Sequence, residues 1–200
     1  MRAIITSLLY ALRYALVAII AVGSITAIIA YATNLYPVAL VDGSPIWMRT
    51  WKEMIQASEN YTNADLKAQG ELPINFSLPE HSSERAKIER DALTFLIEDS
   101  IITNEGNGYI DGFGSVTGEE VARVLRESPQ DPKAIANDIY HMTLDEYRAT
   151  IVAPQVRRST LRRLLEARGR KLDEWLTEMK IKKSIKLYFT RYRWNGARVD

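Results

Sequence analysis

No charged side chain occurs between Arg13 and Asp42, and within that interval Tyr14 to Leu35 (YALVAIIAVGSITAIIAYATNL) is almost wholly apolar. A helix of about 20 such residues crosses the hydrocarbon core of a bilayer. The run has two readings, an anchoring helix or the core of a cleaved leader. Ala30-Tyr31-Ala32 has the small-x-small pattern that precedes a cleavage point after Ala32. A leader's apolar core is usually about 7–15 residues, however, and this run exceeds that. The sequence therefore predicts a transmembrane anchor within residues 1–35. Arg2 and Arg13 precede it and acidic residues follow, which sets the N-terminus in the cytoplasm and the rest of a single-pass cell-membrane protein outside.

The chain beyond the anchor, about 150–160 residues of it in one domain, is enough for a real core. It has no cysteine, which excludes disulfides, thiolate metal sites and a cysteine nucleophile. A net charge of +1 conceals a division. Residues 42–154 carry 10 Lys/Arg against 20 Asp/Glu, whereas 155–200 carry 14 against 5. Opposite charge is thus available within the chain, and the expectation is that basic and acidic helices lie against each other in one bundle rather than that the tail meets an anionic partner; nucleic acid is not expected as a partner.

The organising stretch is Thr143 to Ala167, predicted as one long helix. Thr143 and Glu146 have the capping-box spacing, and Leu144, Tyr147, Ile151, Val152, Val156, Leu161, Leu164 and Leu165 recur every three or four residues. Pro154 lacks the N–H for a bond to Thr150 and predicts a kink. Val38 to Val41 before Asp42-Gly43 reads as a short strand, and Ser44 with Pro45 as the start of a helix bearing Trp47, Trp51, Met54 and Ile55. Residues 60–82 read as a flexible loop. Helices follow over Ser83 to Thr103, from a capping box at Thr117 and Glu120, from Asp131-Pro132, and over Leu172 to Lys183. The alternating run Ile185 to Trp194 reads as a strand whose candidate partner is Val38 to Val41, and residues 195–200 as a tail. The fold class is mainly α: a helical bundle with a small two-stranded β element joining its ends.

Catalytic patterns are not found. The two histidines, His81 and His141, lie in a polar loop and between helices, and no Gly-x-Ser-x-Gly elbow or phosphate loop occurs. Asn104 to Gly114 resembles a calcium loop only faintly, with Thr103 and Gly114 at the positions that decide ligation. No catalytic residue, metal or cofactor is expected.

Four segments in order carry a resemblance. They are Val38-Ala39-Leu40-Val41-Asp42-Gly43-Ser44-Pro45-Ile46, then Ala92 to Ile102 (ALTFLIEDSII), then Val116-Thr117-Gly118-Glu119-Glu120-Val121, then Met142-Thr143-Leu144-Asp145-Glu146-Tyr147 with Val152-Ala153-Pro154-Gln155-Val156. Over residues 36–194 the chain resembles the N-terminal chaperone domain of SurA-type extracytoplasmic folding factors. The resemblance implies a helical domain in which the C-terminal segment completes the N-terminal strand. Such factors also carry a parvulin-type prolyl isomerase domain of about 90–100 residues, and none fits in this chain. The expected function is a membrane-anchored holdase, with unfolded exported polypeptides as partners and Met54, Met142, Tyr147 and Met179 lining a peptide groove. A dedicated membrane partner is the alternative. A peptidyl-prolyl isomerase comes third.

Overall fold

The domain opens with a hairpin: Pro37–Val41 is strand β1 and Ser44–Trp47 strand β2, joined by Asp42 and Gly43 at φ 48° and 86°. Two successive positive φ angles give the tight turn whose twist matches paired strands, and Asp-Gly is a favoured pair for it. The predicted helix from Ser44 is therefore corrected to a strand. Ser44-Pro45 suits a helix start, but the turn lays Ser44 opposite Val41 and Pro45 opposite Leu40, and an edge strand tolerates the missing N–H of proline. Ile185–Leu187 is β3, antiparallel to β1 with Val41 opposite Ile185 and Ala39 opposite Leu187. The C-terminal segment thus closes on the N-terminal strand, as expected, in a three-stranded sheet of order β2-β1-β3 among the described residues. Those residues are Ser24 and 31–200 of the computed structural model. The predicted membrane helix lies mostly outside them; among the described residues no helix is long and apolar enough to cross a membrane.

β3 is shorter than predicted because Phe189 takes φ 51° and leaves the ladder. Trp194 pairs instead with Val199, which is buried and donates its N–H to Thr94 Oγ1 at 3.1 Å. Residues 195–200 are a docked hairpin end rather than a free tail.

Helix α1, Met48–Ala68, runs through the first part of the predicted loop. Its polar residues 60–68 solvate one side of a helix instead of breaking it, and the stop comes at Gly70, φ 80°, where Glu71 N–H reaches Leu66 O at 2.8 Å. The remaining connection is pinned. Asn63 donates its side-chain amide to Ile74 O at 3.1 Å and accepts from Ile74 N at 2.7 Å, and Phe76 is buried. Helix α2, Ser82–Glu105, buries Ala92, Leu93, Leu96, Ile97, Ile101 and Ile102.

Helix α3, Phe113–Glu127, begins four residues before the predicted cap. Thr117 is buried inside it, donating to Phe113 O at 2.9 Å, while Asn107 Oδ1 accepts from Phe113 N at 3.1 Å. The ring of Phe113 lies where a Cβ on Gly106 would stand, 2.2 Å from its nearest atom, so only glycine fits there. Helix α4, Pro132–Asp138, is capped by Asp131. Helix α5, Leu144–Tyr147, opens on the predicted capping box with both bonds formed. It continues as a π turn, Arg148–Val152, into α6, Ala153–Glu166. The wider turn ends where Pro154 would otherwise crowd the carbonyl of Thr150, so the predicted kink takes the form of a bulge. Gly169, φ 70°, closes α6, with Arg170 N–H on Leu165 O at 3.0 Å and Gly169 N–H on Glu166 O at 2.9 Å. Helix α7 is Leu172–Lys182.

The acidic middle and basic end meet in ion pairs. Arg157 grips Asp99 through two bonds of 2.9 and 2.6 Å, and Glu98 bridges Arg158 and Lys180. Lys183 bridges Asp42, at 2.8 Å, and Glu105, which ties the hairpin turn to the end of α2. Its ammonium is held above the ordinary lysine range by those two hydrogen bonds, and Asp42 is held below the usual carboxylate range by Lys183 and by the N–H of Ser184.

Candidate functional site

Three elements leave a space between them: α1, the middle of α2, and the π turn before α6. Two adjoining cavities of about 410 and 330 Å³ share Ser58, Ile151 and Gln155 and form one groove. One end is lined by Met54, Ala92, Phe95 and Thr150, the other by Ala57, Tyr61, Thr62 and Tyr140, with Asp91 beside the first. The π turn matters here. By shifting the helix register ahead of Pro154 it sends Thr150 and Ile151 to the groove, while Val152 and Val156 pack with Val121 of α3.

The second end is an aromatic ladder. Tyr61 and Tyr140 stack with centroids 6.0 Å apart and planes 19° apart, and Tyr140 meets Tyr147 at 5.3 Å. Asn60 fixes this ladder to α1 by donating to Tyr140 O at 2.8 Å. Burial pushes the hydroxyls of Tyr140 and Tyr147 above their ordinary values, so both stay neutral through the physiological range. Phe95 is backed by Arg158, whose guanidinium lies 5.6 Å from its ring while it also pairs with Glu98. The side-chain amide of Gln155 makes no hydrogen bond among the described residues and the residue is exposed, which leaves one amide donor and acceptor set at the groove.

The four residues predicted to line a groove separate. Met54 lines it, and Tyr147 supports it from behind Tyr140 and against the Val121 cluster. Met142 lies in a different depression, with His141, Thr143 and Leu144 at the α4–α5 joint. Met179 is half-buried on α7 and does not line the groove. The sequence reading missed Tyr61, Phe95, Tyr140 and Ile151. Tyr61 lay in the presumed loop, Phe95 and Ile151 counted as core, and no periodicity relates residues on four different elements.

No group of three or more His, Asp or Glu side chains among the described residues is placed to hold a metal ion. Glu59 is the one carboxyl there pushed above its usual range by burial, with Glu89 adding to the shift and Arg85, 3.8 Å away, opposing it. It borders no cavity with a partner nucleophile. The groove offers apolar and aromatic surface, a free amide, neutral hydroxyls and the Asp91 carboxylate at one end. No family model matches the chain, and neither curated proteins nor solved structures match it.

Proposed function

We propose that the chain is a membrane-anchored extracytoplasmic chaperone of the holdase type, whose groove at α1, α2 and the π turn takes up apolar and aromatic segments of unfolded polypeptides. The observation that carries this reading is the groove itself: an apolar end at Met54, Ala92 and Phe95, an aromatic end at Tyr61 and Tyr140, and one uncommitted amide, without convergent charges that would demand a particular ligand. One aromatic side chain buried there removes about 150–250 Å² from water, roughly 4–6 kcal/mol before the cost of ordering chain and side chains. The remainder corresponds to weak, exchangeable binding, which a holdase requires. Gln155 can bond an extended backbone whatever its side chains. The resemblance to SurA-type chaperone domains and the apolar stretch Tyr14 to Leu35 before β1 support the same reading.

The test is suppression of aggregation of several unrelated unfolded proteins by the full chain in lipid nanodiscs, with prolyl isomerisation followed in parallel. Suppression across clients, lost on Ile151→Asp and kept in Asp131→Asn, is the expected result. Suppression of none sinks the holdase and points to one dedicated partner, and isomerisation of a proline peptide revives the enzyme reading.

A further inference from the structure

The sheet has one face turned to the core; on the other Leu40 is half-buried between exposed neighbours on β2 and β3, and Val38, at the irregularity between Pro37 and Ala39, is fully buried. Val41, Ala39 and Ile46 are buried, and their register partners Ile185 and Leu187 are half-buried on the same side. On the other side lie Leu40, opposite both Pro45 and Lys186, of which Pro45 and Lys186 are exposed. Trp47 follows Ile46 and so turns away from the core; it is 42% exposed and lies opposite Pro37. Tyr188, 36% exposed, donates its N–H to Val38 O at 2.8 Å. The two aromatics therefore flank the first residues of β1 from both sides, two strand spacings or about 10 Å apart. Lys186 makes no ion pair among the described residues, unlike Lys180 and Lys183 in the same segment.

The place of this face in the chain says what covers it. β1 begins two residues after Leu35, the end of the apolar stretch Tyr14 to Leu35, so a bilayer crossed by that stretch lies within about 7 Å of chain length from Pro37. Trp and Tyr are the side chains enriched at the level of lipid headgroups, and a lone Lys beside them can place its stem on apolar surface and its ammonium among anionic headgroups. We propose that the outer face of the sheet, with Trp47, Tyr188 and Lys186 as its contacts, rests on an anionic bilayer surface. This inference rests on the anchor in the proposed function, and its test separates the two.

The cysteine-free chain allows single labels without background. Trp47→Cys, Tyr188→Cys and, on exposed α3, Arg126→Cys variants of the full chain carry an environment-sensitive fluorophore and are reconstituted in phosphatidylcholine vesicles with or without roughly one-third phosphatidylglycerol. Nitroxide-labelled lipid should quench the labels at 47 and 188 but not at 126, more strongly in the anionic vesicles. Lys186→Gln should lower the docked-to-free ratio there by about fivefold, the effect of one basic side chain at the surface. Labels at 47 and 188 as unquenched as that at 126, in chains that resist alkaline extraction, overturn the docking and leave the anchor standing. Labels shielded from aqueous iodide yet not quenched by lipid overturn it in favour of a protein occupant. Chains extracted by alkali show instead that the anchor itself fails.

Discussion

Helix α2 has two working sides with opposite chemistry. Toward α6 and α7 it presents Glu98 and Asp99, which hold Arg157, Arg158 and Lys180 in a seam whose side chains are all a quarter exposed or less. Toward α1 and the π turn it presents Ala92 and Phe95 to a groove whose lining residues make no ion pair across it among the described residues, the Glu59–Arg85 pair of α1 and α2 involving none of them. The seam has directional bonds that fix one arrangement. The groove has van der Waals surface, which accepts many arrangements. A holdase of the proposed kind, which must stay folded while its contents change, gains from keeping the two apart. Phe95 touches both, since Arg158 holds its ring from the seam side.

The sharpest way to break this contrast is to cut the seam. Asp99→Ala leaves the Arg157 guanidinium, 22% exposed, without its two-bond partner and should cost about 2–4 kcal/mol in urea unfolding. Client affinity of the folded fraction should not change; if it falls in proportion, seam and groove are one unit. The converse cut is Ile151→Asp, which should weaken binding of an aromatic-rich unfolded peptide about tenfold or more, a loss of ~1.4 kcal/mol. Ile151 is half-buried, so urea unfolding of the same variant checks that the lost binding is not lost stability.

Thr143→Ala removes the capping box at the head of α5 and should cost about 1 kcal/mol. Hydrogen exchange would locate the loss in the π turn and the Ile151 side of the groove rather than in α7. The smallest effect concerns pH. Burial raises the Glu59 carboxyl in the folded state, so ionising it opposes folding: its favourable contribution is complete below the unfolded value, near 4.5, and is lost as pH rises through the folded one. Glu59→Gln should therefore raise the melting temperature at pH 7, with the gain vanishing near pH 4. A uniform gain at both would assign the effect to something other than charge.

Much of the frame was legible because it rests on local chemistry. The Thr143–Glu146 box, the disturbance at Pro154, the stop at Gly169 and the closure of Val38–Val41 by Ile185–Leu187 each follow from residues whose conformational needs are narrow. The charge division announced the seam, though not that Arg157 would choose Asp99. The errors arose where one residue pair suits two structures. Ser44-Pro45 can open a helix or edge a hairpin, and Asp42-Gly43 decided for the hairpin. Thr117 and Glu120 have capping spacing, but the Phe113 ring over Gly106 starts the helix earlier. The groove was least legible, because Tyr61, Phe95, Tyr140 and Ile151 are brought together only by packing, and counting methionines found Met54 alone on its wall.

The separation of seam from groove is tested most directly by photo-crosslinking. A benzophenone amino acid replaces Tyr61 at the mouth of the groove or, in a second protein, Arg170 near the start of α7, and each full chain is mixed with an unfolded, non-aggregating client. Crosslinks at position 61, competed by a second unrelated client and absent at position 170, are the predicted result. Equal crosslinking at both positions, or none at position 61 while the client remains bound, would contradict it.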